Sequence, residues 1–378
     1  MNFEITRDSL LDGLNDVMKA ISQKVANPIL TGVKIVVEDK GMTMTGSDSD
    51  ITICTFIPSE KDGEQIINVK QTGSIILQAK MFNEIVRKLP TNEVTIVVEN
   101  GTHAHISSGK SEFHLIGSNA DDYPILPSVK DDHSFSLPAD LLKSVIRETV
   151  FAVSQAETRP ILTGVHWETV DDKLICVATD SHRLAKREIT PEVMSEIPFS
   201  VVIPGKSLQE LNKILADNSN LIEIVIADQQ ILFKTANVQF YSRLLEGNYP
   251  DTSRLIPAEH KTSVTVNGKQ LLQAIDRASL LARDERNNIV RFSANEGNII
   301  EITSNSPEIG KVEESIEAIE VVGEDLKISF SAKYMMDALK AIEGQNIVIQ
   351  FTGAMRPFIL KAVDSEAILQ LILPVRTF

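Results

Sequence analysis

Pro28-Ile29-Leu30-Thr31-Gly32-Val33 returns unchanged as Pro160-Ile161-Leu162-Thr163-Gly164-Val165. At the same offset Phe3 meets Phe135, Asp8 meets Asp140, and Leu10, Leu14, Met18 and Ile21 meet Leu142, Ile146, Val150 and Val153. Ser47-Asp48-Ser49 likewise meets Thr179-Asp180-Ser181. A six-residue identity inside a gapless run of matched apolar positions marks an internal repeat, which outranks any local reading of structure. A third copy is fainter: Ser263-Val264-Thr265-Val266 precedes Leu271, Leu272 and Ile275, and Ile289-Val290-Arg291-Phe292 stands where Ile161-Leu162-Thr163-Gly164 stood. The later half of each copy repeats too. Asp122-Tyr123-Pro124 is answered by Asn248-Tyr249-Pro250, and Lys80, Glu84 and Arg87 by Lys206, Glu210 and Lys213, then by Lys333, Asp337 and Lys340. The expectation is three domains of one fold, spanning residues 1–127, 128–257 and 258–378, with Pro127 and Pro257 ending the connectors.

Inside a copy the hydrophobic period switches between two and 3.6. Residues 2–6 alternate as a strand, and 8–22 carry apolar residues at helical spacing behind Asp8 as a cap. Val33–Val37 and Met42–Thr45 flank Asp39-Lys40-Gly41 as a hairpin. A second helix over 80–89 stops at Pro90, and three more strands follow. The class is α+β: two helices and about eight strands per copy, the helices packed on antiparallel sheets. In the second helices Phe82, Ile85, Val86 and Leu89 share one face, as do Leu208, Leu211, Ile214 and Leu215.

Composition narrows the function classes. The 378 residues are 43% hydrophobic and 24% charged, which excludes a disordered chain. No apolar run reaches the ~20 residues of a membrane span, and Met1-Asn2-Phe3-Glu4-Ile5 has neither part of a signal peptide, so a cytoplasmic protein is expected. Cys54 and Cys176 are the only cysteines, read as free thiols, and no structural zinc set is visible. The net charge of −15 argues against nucleic-acid binding unless the basic groups share one surface. It is spread evenly: 11 basic against 17 acidic residues up to 127, 13 against 18 up to 257, and 13 against 17 beyond.

The repeat, together with P-I-L-T-G-V and Ala178-Thr179-Asp180-Ser181-His182-Arg183-Leu184-Ala185, closely resembles the bacterial sliding clamps, the β subunits of DNA polymerase III. Glu246-Gly247-Asn248-Tyr249-Pro250-Asp251, Ser304-Asn305-Ser306-Pro307-Glu308-Ile309-Gly310 and Leu373-Pro374-Val375-Arg376-Thr377-Phe378 extend the resemblance over the whole chain. Its details are most similar to clamps of low-GC Gram-positive bacteria, and Ser181 stands where enterobacterial clamps carry glycine. The resemblance implies three clamp-fold (processivity-fold) domains per subunit. Two subunits would join head to tail in a six-domain ring, the first domain of one meeting the third of the other. Helices would line the hole and strands the outer wall. It implies a processivity factor without catalytic activity or cofactor, encircling duplex DNA. Its partners would be the α-type polymerase subunit and other polymerases, a clamp-loader ATPase, and mismatch-repair and other proteins carrying clamp-binding peptides.

Two sets of site residues follow from that resemblance. A groove for glutamine-led Leu/Phe peptides would take its walls from Leu162, Thr179, Ser181, His182, Arg183 and Leu184, its far side from Pro250, Arg254 and Leu255, and its rim from Tyr334 and Met355. Leu371, Leu373, Pro374, Val375 and Arg376 would form its lip. Read from the residues alone, Leu162, Leu184, Leu371 and Leu373 are strand-core residues. The DNA-facing set is Lys24, Arg159 and Arg286 on loops, with Lys80, Arg87, Lys206, Lys213, Lys333 and Lys340 on the second helices. The plain alternative for the helical set is a salt-bridged surface, because Glu84, Glu210 and Asp337 stand between the basic residues.

Enzyme readings find little support. Asp180-Ser181-His182 holds the members of a triad, but neighbours on an extended chain point to opposite faces. Gly205-Lys206-Ser207 matches the tail of a P-loop, yet Ser200 stands where the first glycine belongs. His103 and His105 share a strand face, too few ligands for zinc, and Asp48 and Asp50 read as turn carboxylates. The competing readings are a cytosolic repeat-domain scaffold without DNA and, more remotely, a hydrolase built on His182.

Overall fold

The computed structural model describes residues 1–22, 24–125, 134–191, 198–282, 288–295, 297–342 and 346–376. Among them the chain forms six α-helices and twenty-eight strands. The helices fall two to a copy: α1 (Arg7–Val17) and α2 (Ala79–Lys88), α3 (Ala139–Thr149) and α4 (Gly205–Asn212), α5 (Gly268–Ala282) and α6 (Ala332–Ile342).

The repeated hexapeptide builds the same local device twice. Pro28–Thr31 and Pro160–Thr163 each form one 3-10 turn, with the proline ring where a backbone donor would have no partner. Thr31 Oγ1 donates to Pro28 O at 2.8 Å, and Thr163 Oγ1 to Pro160 O at 2.7 Å. Leu30 and Leu162 turn into the interior. The glycine then starts a strand beside a close neighbour: a Cβ on Gly32 would lie 2.4 Å from Ile76 Cγ2, and one on Gly164 2.7 Å from Ile203 O.

The first helix is shorter than its apolar spacing suggests. Thr6, not Asp8, caps α1, its Oγ1 accepting the Ser9 N–H at 3.3 Å. Asp8 occupies the first turn, where a carboxylate still favours the positive end of the helix. Past Val17 the chain tightens into a 3-10 turn, Met18–Ala20, and is extended at Ile21. Gly46 lies against this end, since a Cβ there would be 2.6 Å from Val17 O. In α2 the expected face is buried (Phe82, Ile85 and Val86, with Leu89 just past the end), while Lys80 and Arg87 are exposed. Helix α4 ends at Asn212, so Lys213 sits in the turn that follows.

The described residues gather into two compact units that cut across the repeat. The first, from 1–140 and 209–244, holds a five-stranded and an eight-stranded antiparallel sheet. In the larger sheet, Val238–Arg243 of the central copy pairs with Ile51–Pro58 of the first, setting Phe240 opposite Ile53. The second unit, from 141–208 and 245–376, holds a nine-stranded and a four-stranded sheet. Here Arg183–Ile189 of the central copy pairs with Ser365–Ile372 of the third, setting Leu184 opposite Leu371. Each junction covers strand edges that would otherwise carry unpaired backbone groups. The third copy is centred on Phe292, Phe330, Phe351 and Phe358, whose rings pack tilted to one another with centroids 5.0–6.2 Å apart.

Candidate functional site

The candidate site lies in the second unit, where the turn between Lys173–Thr179 and Arg183–Ile189 meets the end of strand Ser365–Ile372. Asp180 shapes that turn. Its Oδ1 accepts the N–H groups of His182 at 2.9 Å and Arg183 at 3.1 Å. Thr179 Oγ1 accepts the Ser181 N–H at 3.2 Å and donates to Arg183 O at 2.6 Å. Ser181 is left at φ 76°, a left-handed conformation that favours glycine. Ser47-Asp48-Ser49 repeats the device: Asp48 accepts from Asp50 and Ile51, Ser47 from Ser49, and Ser49 has φ 84°. Asp48 is thus the turn carboxylate that the sequence suggests.

Arg183 organises the surroundings although it is buried. Nε donates to Asp180 Oδ2 at 3.0 Å, Nη1 to Asp337 Oδ2 at 2.6 Å and Nη2 to Phe151 O at 2.6 Å. Its guanidinium carbon lies 4.5 Å from the Tyr334 ring centroid and 5.3 Å from that of Phe151. The His182 ring stands 6.4 Å from Tyr334 and is exposed. Burial, with the Asp180 charge next, pushes the Tyr334 phenol above its usual range. The Asp180 carboxylate serves Arg183 and two backbone amides, so it does not orient the imidazole. The triad fails because the segment is a turn whose carboxylate is already occupied, not because the chain is extended.

Below the turn, Leu184 and Leu371 join Val177, Ile359 and Leu369 in an apolar cluster, with Leu373, Tyr249 and Ile256 packed at its edge. Tyr249 accepts the Thr179 N–H on its hydroxyl at 3.0 Å and stacks on His166 at 5.0 Å. The chain end is held by backbone bonds: Leu373 N–H donates to His182 O at 2.9 Å, and Val375 N–H to Ser329 O at 2.7 Å.

These contacts bring together Thr179, Ser181, His182, Arg183, Leu184, Tyr334, Leu371 and Leu373. Leu162, Leu184 and Leu371 are only 4%, 1% and 1% exposed. They form floor and core rather than open walls, and Leu162 keeps the structural role that Leu30 has in the first copy. Pro250, Arg254 and Leu255 are exposed on the following loop, where Arg254 pairs with Asp251. Met355, Val375 and Arg376 line a neighbouring cleft of about 410 Å³ with Arg291, Lys327 and Ser329, while Pro374 is half-buried. Sequence reasoning misses Tyr249, Ile256, Phe151 and Asp337 as parts of this site. Only the repeat of Tyr123 as Tyr249 hints at one of them.

The basic set is exposed at Lys24, Lys80, Arg87, Arg159, Lys206, Lys213, Lys333 and Lys340, and Arg286 lies outside the described residues. The salt-bridged alternative holds for Lys213, which pairs with Glu210 at 2.8 Å. It does not hold for Asp337, whose carboxylate is turned to Arg183.

Sequence models of the N-terminal, central and C-terminal domains of the DNA polymerase III beta subunit match residues 1–127, 136–251 and 253–376. The chain belongs to that family. It is 56% identical to the beta sliding clamp of Bacillus subtilis over 378 residues, covering all of both chains, and the crystal structure of the DNA polymerase sliding clamp from that organism superposes with a TM-score of 0.98. The beta sliding clamp of Staphylococcus aureus is 48% identical over the full length of both. A sliding clamp from Pseudomonas aeruginosa bound to griselimycin is 26% identical and matches all of both chains with a TM-score of 0.93. Among the described residues no helix is long and apolar enough to cross a membrane, and both cysteines are free and buried.

Proposed function

We propose that this beta subunit is a non-catalytic, cytoplasmic processivity clamp. Two copies close head to tail into a six-domain ring on duplex DNA, and the ring tethers polymerases through the groove around Arg183. The domain boundaries near 127 and 257 belong to this proposal. Ring closure would join strand edges that each unit leaves unpaired, Ser111–Ile116 in the first copy and Gly310–Glu317 in the third.

The observation that carries the partner groove is the held chain end: Leu373 is bonded to His182 and packs on the apolar cluster, and Val375 is bonded to Ser329. A Leu or Phe anchor buried there contributes ~1.5–3 kcal/mol, and ordering the peptide offsets part of that. Two or three anchors give roughly micromolar binding, about −8 kcal/mol, weak enough for partners to exchange. Tethering then raises the polymerase's effective concentration at the primer end. The α-type polymerase subunit, other polymerases, mismatch-repair proteins and a clamp-loading ATPase are the expected partners.

A ring held by topology needs few phosphate contacts, and each one adds salt dependence and slows sliding. Lys24, Arg159 and Arg286 with the second-helix lysines and arginines supply such a sparse lining. Retention tests the whole reading. Protein loaded on nicked circular DNA should survive gel filtration at high salt and run off once the circle is cut. Equal loss from both forms would favour the scaffold without DNA. If Lys24→Ala, Arg159→Ala and Arg286→Ala together leave loading unchanged, those three are ordinary surface charges.

A further inference from the structure

The hairpin of His103–Ser108 and Ser111–Ile116 ends the five-stranded sheet. Ala104, Ile106 and Ser108 are buried, so His103, His105 and Ser107 face the other way. The antiparallel register sets His105 opposite His114 and Ser107 opposite Glu112. Three of the chain's 7 histidines therefore share one face of one hairpin. The His105 and His114 rings stack with centroids 4.4 Å apart, 8° from parallel. His105 Nε2 is 3.8 Å from Glu112 Oε2, beyond hydrogen-bond reach, and is buried without a hydrogen-bond partner. One ligand atom each from His105, Glu112 and His114 lies within 4.8 Å of the others.

We propose that His105, His114 and Glu112 bind a divalent transition ion of the zinc class. Two imidazole nitrogens and one carboxylate oxygen are a borderline donor set, suited to zinc rather than to calcium or magnesium, which take mostly oxygens. Around a tetrahedral ion with bonds of ~2.0–2.2 Å, ligand atoms stand about 3.3–3.5 Å apart. The His105–Glu112 pair must therefore close by about half an ångström. The stacked rings must tilt toward each other about χ2, a soft torsion. Paired strands already hold the three Cβ atoms, so no loop has to be ordered. Water takes the open fourth position. His103 shares the face, but its Nδ1 stands 3.2 Å from Thr102 Oγ1 and is not required.

Zinc chloride titrated against a chromophoric chelator in competition with the full-length chain tests the site. The expected result is one ion per protomer, with affinity weaker in acid because protons compete with the metal for its ligands. His105→Gln with His114→Gln should weaken binding at least ~10-fold, and Glu112→Gln should weaken it by about the same factor. Zinc should raise the melting temperature of the parent chain and not that of the double variant. Urea unfolding in EDTA checks that each variant is folded. Should the double variant fail to fold, the exposed Glu112→Gln carries the test alone. No stoichiometric zinc binding by the parent chain, or unchanged binding by the folded variants, would overturn the proposal.

Discussion

Arg183 and Asp337 stand 154 positions apart and meet at 2.6 Å. Through that contact one buried side chain ties the turn of the central copy to α6 of the third, and through Phe151 O to the 3-10 turn Val150–Ala152. A guanidinium with three acceptors and two aromatic rings within 5.3 Å is held in one orientation before any peptide arrives.

Arg183→Ala should therefore be severe. It leaves Asp180 and Asp337 without their cation in a largely buried site, a change that costs about 3–5 kcal/mol. Asp337→Asn keeps an acceptor and should cost less, about 1–2 kcal/mol. Urea midpoints check both, and equal, small effects would show that the pair is only a surface contact.

Ser181 bears on stability in the opposite sense. At φ 76° a side chain costs about 1 kcal/mol that glycine does not. Ser181→Gly should stabilise by up to about 1 kcal/mol, and the β-branched Ser181→Val should destabilise by at least that much. Denaturant unfolding reads both signs.

His166 sets a pH window. Burial, only partly opposed by Glu168, lowers its pKa below the ordinary 6.5. The folded chain then prefers neutral imidazole, so the unfolded chain binds more protons. His166 contributes stability that is complete above ~6.5 and lost as pH falls through the lower folded value. Urea midpoints measured between pH 7.5 and about 5 should decline, and His166→Gln should decline less.

The chain end is expected to govern partner binding. A chain ending at Leu373 loses the Val375–Ser329 bond and the lip residues Pro374, Val375 and Arg376. Fluorescence anisotropy with a labelled glutamine-led Leu/Phe peptide should show roughly micromolar binding to the whole chain and at least ~10-fold weaker binding to the shortened one. Leu373→Ala should lie between them, and undiminished binding by either would move the groove elsewhere.

Much of this molecule is legible in its residues alone. The hexapeptide repeat carries its turn, its buried leucine and its close-packed glycine, because each depends on neighbours within a few residues. The exposed lysines of α2 and α6 follow from helical periodicity in the same way. Site residues are legible only through resemblance, and Leu162 and Leu371 sit deeper than that resemblance implies. Asp337 reads as a partner for its own helix and is not one, because spacing along α6 reports which residues can meet and not which cation reaches them first. The pairing of His105 with His114 is hidden by a hairpin register that no spacing rule fixes.

Three copies of one α+β unit, the buried faces of their helices and the turns that start their strands are all set by local sterics and hydrophobic period. The joining of Val238–Arg243 to Ile51–Pro58, and of Arg183–Ile189 to Ser365–Ile372, emerges only in the folded chain. Those junctions made two compact units out of three repeats. The reason is physical: strand edges bond through backbone groups that every residue carries, so which distant edge closes on which is settled by the packing of the whole chain.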